Sequence, residues 1–144
     1  MENLDNKNPG DDWGNTPLHV AASWGHTEIA RLIVENVAVK NPRNYSWGFT
    51  PFHLASKRGN VEICQVILDN IQEEKNPRDD WSDTPLHEAA TKGHTEIARL
   101  IVENVAENPR NDEGDTPLHV AARRGHTEIA RLIVENVDVK RQST

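Results

Sequence analysis

Apolar residues recur along this chain in two alternating patterns, and the pair of patterns repeats. Leu18, Ala21 and Ala22 lie at i, i+3 and i+4, which predicts a short helix with one narrow apolar stripe. The alanines are small enough to let a neighbouring backbone approach closely. Further on, Ile29, Leu32, Ile33 and Asn36 recur at helical spacing, with Glu28, Arg31 and Glu35 on the wet side of a second helix. Thr16-Pro17 precedes the first stripe: the hydroxyl can cap open helix amides, and proline is tolerated at the first helical position. Gly25 separates the helices, where a sharp reversal needs a left-handed residue. Asn36 is expected to close the second helix in the same conformation. The stretch from Asn8 to Asn15 is rich in turn formers and predicts a projecting loop or hairpin tip. The unit is thus helix, tight turn, antiparallel helix and outward loop.

This unit occurs four times. Thr-Pro-Leu-His opens at Thr16, Thr84 and Thr116, and Thr-Pro-Phe-His opens at Thr50, so the starts are 34, 34 and 32 residues apart. A period in that range indicates a stacked array in which each unit buries its apolar face against its neighbours. The copies read TPLHVAASWGH, TPFHLASKRGN, TPLHEAATKGH and TPLHVAARRGH. This pattern resembles the ankyrin repeat, over roughly residues 8 to 140. The resemblance implies an all-α solenoid of four helix–turn–helix units with projecting hairpin loops. It would form one domain over 1–144, with repeats at about 8–40, 41–74, 75–106 and 107–140. It also implies a concave surface lined by the tips and the exposed side of each first helix, and a role in binding other macromolecules. The linkers depart from the family pattern: asparagine replaces the usual glycine after the second helix, Asn-Pro pairs enter at 41–42, 76–77 and 108–109, and the last linker is shortened.

Composition narrows the function. The 144 residues suffice for one domain with a continuous core. A net charge of −7 argues against nucleic-acid binding, because the only concentrated base, Arg123-Arg124, is too small to neutralise many phosphates. No apolar run of about 18 residues is present, so no membrane span is expected. The polar start Met1-Glu2-Asn3-Leu4-Asp5 does not read as a secretory signal, and the single Cys64 fits a reducing, cytoplasmic-type compartment.

Seven histidines raise the question of a metal. His19, His53, His87 and His119 share one repeat position and His26, His94 and His126 another, so both sets form ladders spaced about a helix diameter apart. Zinc needs its ligands within about 2 Å of one centre, so no metal site is expected. The first set is expected to bond backbone near the turns and the second to cap the second helix. Cys64 stands where other repeats have Ala30, Ala98 and Ala130, and reads as a small buried thiol. Neither a phosphate-cradling loop, a nucleophile elbow nor a convergent carboxylate pair is visible, so no catalysis, cofactor or small-molecule substrate is expected.

The repeats differ mainly in their tips and first helices. Gly-His-Thr-Glu-Ile-Ala-Arg-Leu-Ile-Val-Glu-Asn-Val runs unchanged from Gly25, Gly93 and Gly125. Variation among these three repeats gathers at Trp13, Asn15, Trp24, Trp81, Asp83, Glu88, Lys92, Glu113, Asp115, Arg123 and Arg124. The divergent second repeat adds Tyr45, Trp47 and Phe49 to the same surface. Exposed aromatics dominate interface energetics, so this set is the expected protein- or peptide-binding face, with an apolar centre near Trp47 and Phe49 and a charged rim. The competing expectation is that each ring folds back on its own loop.

The variable positions resemble those diversified in designed ankyrin repeat proteins, and three verbatim helices suggest recent duplication or deliberate assembly. The second repeat, with Cys64, speaks against a wholly designed framework. The terminal repeats carry the same Ile-Ala-Arg-Leu-Ile-Val core as the third without capping substitutions, so end-to-end self-association or membership of a longer array is the structural alternative.

Overall fold

The computed structural model describes residues 7–72, 74–105 and 107–142, with side chains in the last helix described to residue 137. The polar start at Met1–Asp5 lies outside the described residues. Four helix pairs follow one another: α1 (Pro17–Trp24) with α2 (Thr27–Asn36), α3 (Pro51–Arg58) with α4 (Val61–Asn70), α5 (Pro85–Lys92) with α6 (Thr95–Asn104), and α7 (Pro117–Arg124) with α8 (Thr127–Gln142). The first helices stack α1–α3–α5–α7 and the second helices α2–α4–α6–α8, giving two layers with a shared core.

The start of each first helix is built by one device. Thr16 Oγ1 accepts from His19 N, and Thr16 N donates to His19 Nδ1 at 3.0 Å. That is a capping box with histidine in the place usually held by glutamate or glutamine. Thr50–His53, Thr84–His87 and Thr116–His119 repeat it. Because Nδ1 accepts, the ring proton sits on Nε2, which donates to the next repeat: His19 to Phe49 O (2.8 Å), His53 to Asp83 O (2.8 Å) and His87 to Asp115 O (2.9 Å). One side chain therefore starts its own helix and ties down the following tip. Each first helix ends at a left-handed glycine, Gly25, Gly59, Gly93 or Gly125.

Two expectations need correcting. Asn36 is helical rather than left-handed; its Nδ2 donates to Leu32 O at 2.7 Å, and Val37 beyond it is extended. Asn70, Asn104 and Asn136 make the same bond to Val66, Leu100 and Leu132, yet the helix continues past Asn136 to Gln142. Asparagine therefore does not terminate the helix; where the chain must turn into the next loop, the helix stops. Nor do His26 and His94 of the second histidine set act as caps. His26 and His94 make no side-chain cap bond; His94 Nε2 instead bonds Lys57 O of the preceding repeat at 3.1 Å. Asn60, its counterpart in the second repeat, reaches Ala22 O at 2.6 Å. These side chains are inter-repeat struts.

The core is a ladder of equivalent positions. Leu18, Phe52 and Leu86 are fully buried, as are Ala30, Cys64 and Ala98. Burial pushes the Cys64 thiol up to about 12, with only the Ser56 hydroxyl, 3.6 Å away, opposing it, so Cys64 is a packing residue. In the Asn-Pro loops, Asn8 Oδ1 accepts from Leu18 N at 3.1 Å, whereas the equivalent oxygens of Asn41, Asn76 and Asn108 are buried without a hydrogen bond.

Candidate partner-binding face

Each tip is closed by a short backbone bond, such as Asp11 N to Asn15 O (2.9 Å) and Asp79 N to Asp83 O (2.9 Å). Inside the turn, one side-chain oxygen accepts two amides: Asp11, Asn44, Asp79 and Asn111 all do this. The turn needs a left-handed residue, supplied by Gly14, Gly48 and Gly114 but by Ser82 (φ 65°) in the third tip.

Single backbone bonds join neighbouring tips: Tyr45 N to Trp13 O, Asp80 N to Trp47 O and Asp112 N to Trp81 O, each 2.8 to 2.9 Å. The accepting residue is the same position in each tip, so the three tryptophans form one row, ended by Glu113 in the fourth. Trp47 and Trp81 stack with centroids 5.2 Å apart and planes 29° from parallel. Between Trp13 and Trp47 the longer second tip brings the Tyr45 ring over Gly14, so close that a Cβ there would lie 2.7 Å from it.

Two grooves flank Trp47 and Phe49. The first, about 420 Å³, lies between the first two repeats and includes Asn15, Trp24, Trp47, Phe49, Lys57 and Arg58. The second, also about 420 Å³, is bounded by Trp47, Phe49, Lys57, Asp79, Trp81, Asp83 and Glu88. Phe49 forms the shared wall; it is half-buried, with its ring 5.9 Å from that of His53 and Lys57 Nζ 5.4 Å from its centre. Phe49 is thus a wall of both grooves rather than a fully exposed ring. Trp24 and Tyr45 remain about three-quarters exposed, and Trp13, Trp47 and Trp81 about half or more.

Charge is unevenly placed. Asp79, Asp83 and Glu88 bring carboxylate oxygens within 4.8 Å of one another in the second groove. Burial pushes Glu88 up to about 7, with Asp83 and Asp79 adding to the rise and Lys57 and Lys92 opposing it. Asp79 is raised as well, chiefly by burial. At the other end, Arg123 grips Asp115 through both guanidinium nitrogens (2.9 and 3.2 Å), and that hydrogen bonding holds the Asp115 carboxyl below its usual range. Glu113, Lys92 and Arg124 are exposed and, like Asp115, Arg123, Trp13 and Tyr45, lie outside both grooves.

The face thus gathers Asn15, Trp24, Trp47, Phe49, Trp81, Asp83 and Glu88, and sets the rest of the sequence-derived residues along its flanks. Sequence reasoning overlooked Asp79, whose carboxylate does a turn's work and also lines the groove. Its signal was positional: it matches Asp11, Asn44 and Asn111 at the turn-holding site.

The helix pairs, left-handed glycines and bridging tips define an all-helical repeat solenoid. The family model for ankyrin repeats, described as "Ankyrin repeats (3 copies)", matches residues 2–79 and 70–143, and the chain belongs to that family. No curated protein sequence matches the chain. Ankyrin repeats in general are protein-interaction modules rather than enzymes. Among the described residues no helix is long and apolar enough to cross a membrane.

Proposed function

We propose that this protein is a non-enzymatic binding module that engages a protein or peptide through the tip and first-helix face, centred on Trp47 and Trp81. The observation that carries this reading is the row of exposed tryptophans beside two grooves. The Trp47 and Trp81 rings rest on one another above backbone-bonded tips and are pre-ordered, so little side-chain entropy is lost when a partner covers them. Truncating such an anchor typically costs more than about 2 kcal/mol of binding. In the first, third and fourth repeats an unvaried second helix alternates with a varied tip surface, which supports the same face and fits an array selected or assembled around those positions.

Panning a displayed peptide library on the intact protein tests this. Binders should lose affinity for the Trp47→Ala and Trp81→Ala variants but keep it for Arg31→Ala and Arg99→Ala on the second-helix layer. Binders that track the second-helix variants instead would overturn the assignment.

A second reading has an observation of its own. Ile29 on the first repeat and Val134 on the last are exposed although their counterparts elsewhere are buried, and Leu32 is exposed where Val66, Leu100 and Leu132 are buried or partly buried. Space over Gly125 is open, where His94 and His126 lie over Gly59 and Gly93. A second copy stacked in the same register would seat His26 there. It would also bring Asp11 toward Asp115, because Asn111 reaches Asp83 across the equivalent junction. Stacking would therefore be weak. Sedimentation velocity that stays independent of concentration into the millimolar range removes this reading.

A further inference from the structure

Resting on that choice of face, we infer that the second groove takes an arginine side chain from an extended segment of the partner, its guanidinium laid against the Trp47–Trp81 stack and facing Glu88 and Asp83. Three features of the groove support this occupant.

First, the groove combines two surfaces that few ligand groups satisfy together. Its aromatic edge is the stacked indole pair, and its acidic side is Asp79, Asp83 and Glu88, with oxygens within 4.8 Å of one another. A guanidinium is planar and weakly hydrated, stacks on aromatic faces and offers several donors at once, so it suits both surfaces. A lysine ammonium would satisfy the acids but gain less from the flat stack. A hydrated divalent cation would gain nothing from the indoles.

Second, the acids are unequally occupied. Asp79 Oδ1 already accepts from Trp81 N and Asp83 N, both 2.9 Å, and Asp83 Oδ1 accepts from Asn111 Nδ2 at 2.9 Å. The Glu88 carboxyl makes no hydrogen bond or ion pair among the described residues. It is also one of the positions that differ between otherwise matching repeats, standing where Val20 and Val120 occur. The floor therefore contains one carboxyl whose acceptor capacity is unspent.

Third, the groups facing Glu88 leave room for a further positive charge. Lys57 on α3 and Lys92 on α5 oppose Asp79 and Asp83 on the tip, and burial acts with the two aspartates to keep the Glu88 proton on to about pH 7. Lys57 itself is drawn over Phe49. Entry of a cation would expel the Glu88 proton, so binding should release protons near neutrality and tighten as pH rises through that range.

The test is indole N–H NMR on the intact protein, titrated to millimolar levels with N-acetyl-arginine methylamide and, separately, with the lysine and citrulline analogues and with calcium chloride. The arginine compound is expected to shift the Trp47 and Trp81 signals saturably. The neutral citrulline analogue should bind at least about tenfold more weakly, the size of one charge-assisted contact. Glu88→Gln should weaken arginine about tenfold and flatten its pH dependence, while Glu62→Gln, exposed on α4 and outside the groove, should change neither. Equal binding of lysine, a response to calcium alone, or no movement of these signals overturns the inference. The broader reading fails separately: panned peptides that depend on Trp47 and Trp81 but lack any arginine preference sink this inference and leave that one standing.

Discussion

The same ten residues, Thr-Glu-Ile-Ala-Arg-Leu-Ile-Val-Glu-Asn, form α2 and α6, and the two helices are buried differently. In α6, Ile97, Ala98, Ile101 and Val102 are all fully buried. In α2, Ala30 and Val34 are fully buried, but Ile29 is 53% exposed and Leu32 is 64% exposed. Each helix has two apolar flanks, one for the repeat before and one for the repeat after. In α2 only the second finds a repeat among the described residues. α8, again with the same residues, reverses the pattern: Ile129 and Ile133 are buried while Val134 is 46% exposed. Identical local sequence therefore specifies the helix but not its energetic weight.

Ile97→Ala against Ile29→Ala is the widest way to test that lesson. Emptying the enclosed Ile97 site is expected to cost about 3 kcal/mol, and truncating the exposed Ile29 less than about 1 kcal/mol, read by urea unfolding. Similar losses at both sites would break the comparison.

The histidines sharpen it with acid. Burial holds His53 at about 4 rather than its ordinary 6.5, and lowers His19 and His87 as well. The unfolded chain therefore takes up these protons first. Their contribution is complete above about pH 6.5 and is lost as pH falls from there toward about 4. For His53 alone that loss is roughly 3 kcal/mol. Unfolding midpoints measured across this range should fall steeply in the native protein and less steeply in His53→Ala. His119 occupies the same motif position but is exposed, with no following tip to bond among the described residues, so His119→Ala should cost only about 1 kcal/mol, the price of a helix cap. A pH profile unchanged by His53→Ala would sink this account.

A smaller effect separates two tips. Ser82 holds a left-handed backbone where Gly114 does the same job with open space around it. Ser82→Gly is expected to stabilise by about 1 kcal/mol and Gly114→Ser to destabilise by a similar amount in thermal melts. The smallest contrast is a control. Arg31–Glu28, Arg99–Glu96 and Arg131–Glu128 are the same exposed pair in three settings. Replacing each glutamate by glutamine should cost under about 0.5 kcal/mol at all three sites. A large difference among them would show that repeat context reaches even the wet side.

Local chemistry was legible in the chain. Thr-Pro at each first helix, the glycine after it and the alanine-rich stripe act within one turn, so their roles followed from residue type. Asn36 was misread because its side chain can satisfy a helical carbonyl as readily as its backbone can turn left-handed, and residue type does not choose between them. His94 was misread because its acceptor, Lys57 O, lies 37 residues away. The candidate face was half legible: Trp47, Trp81, Asp83 and Glu88 stood out as variable, but their convergence, and the part played by Asp79, depend on tip-to-tip bonds that no single repeat contains.

What the chain determined by itself is the unit: where helices start, where each first helix stops, which residues punctuate them, and that four such units recur. Those outcomes rest on interactions spanning a few residues, and the same residues produce them at every copy. What the tertiary structure decided is which apolar flank is covered, where each Nε2 proton goes, and that two tryptophans a repeat apart become one stacked surface beside an unspent carboxyl. These depend on the neighbour, because in a solenoid each repeat supplies half of every interface and its own sequence cannot say whether the other half is present.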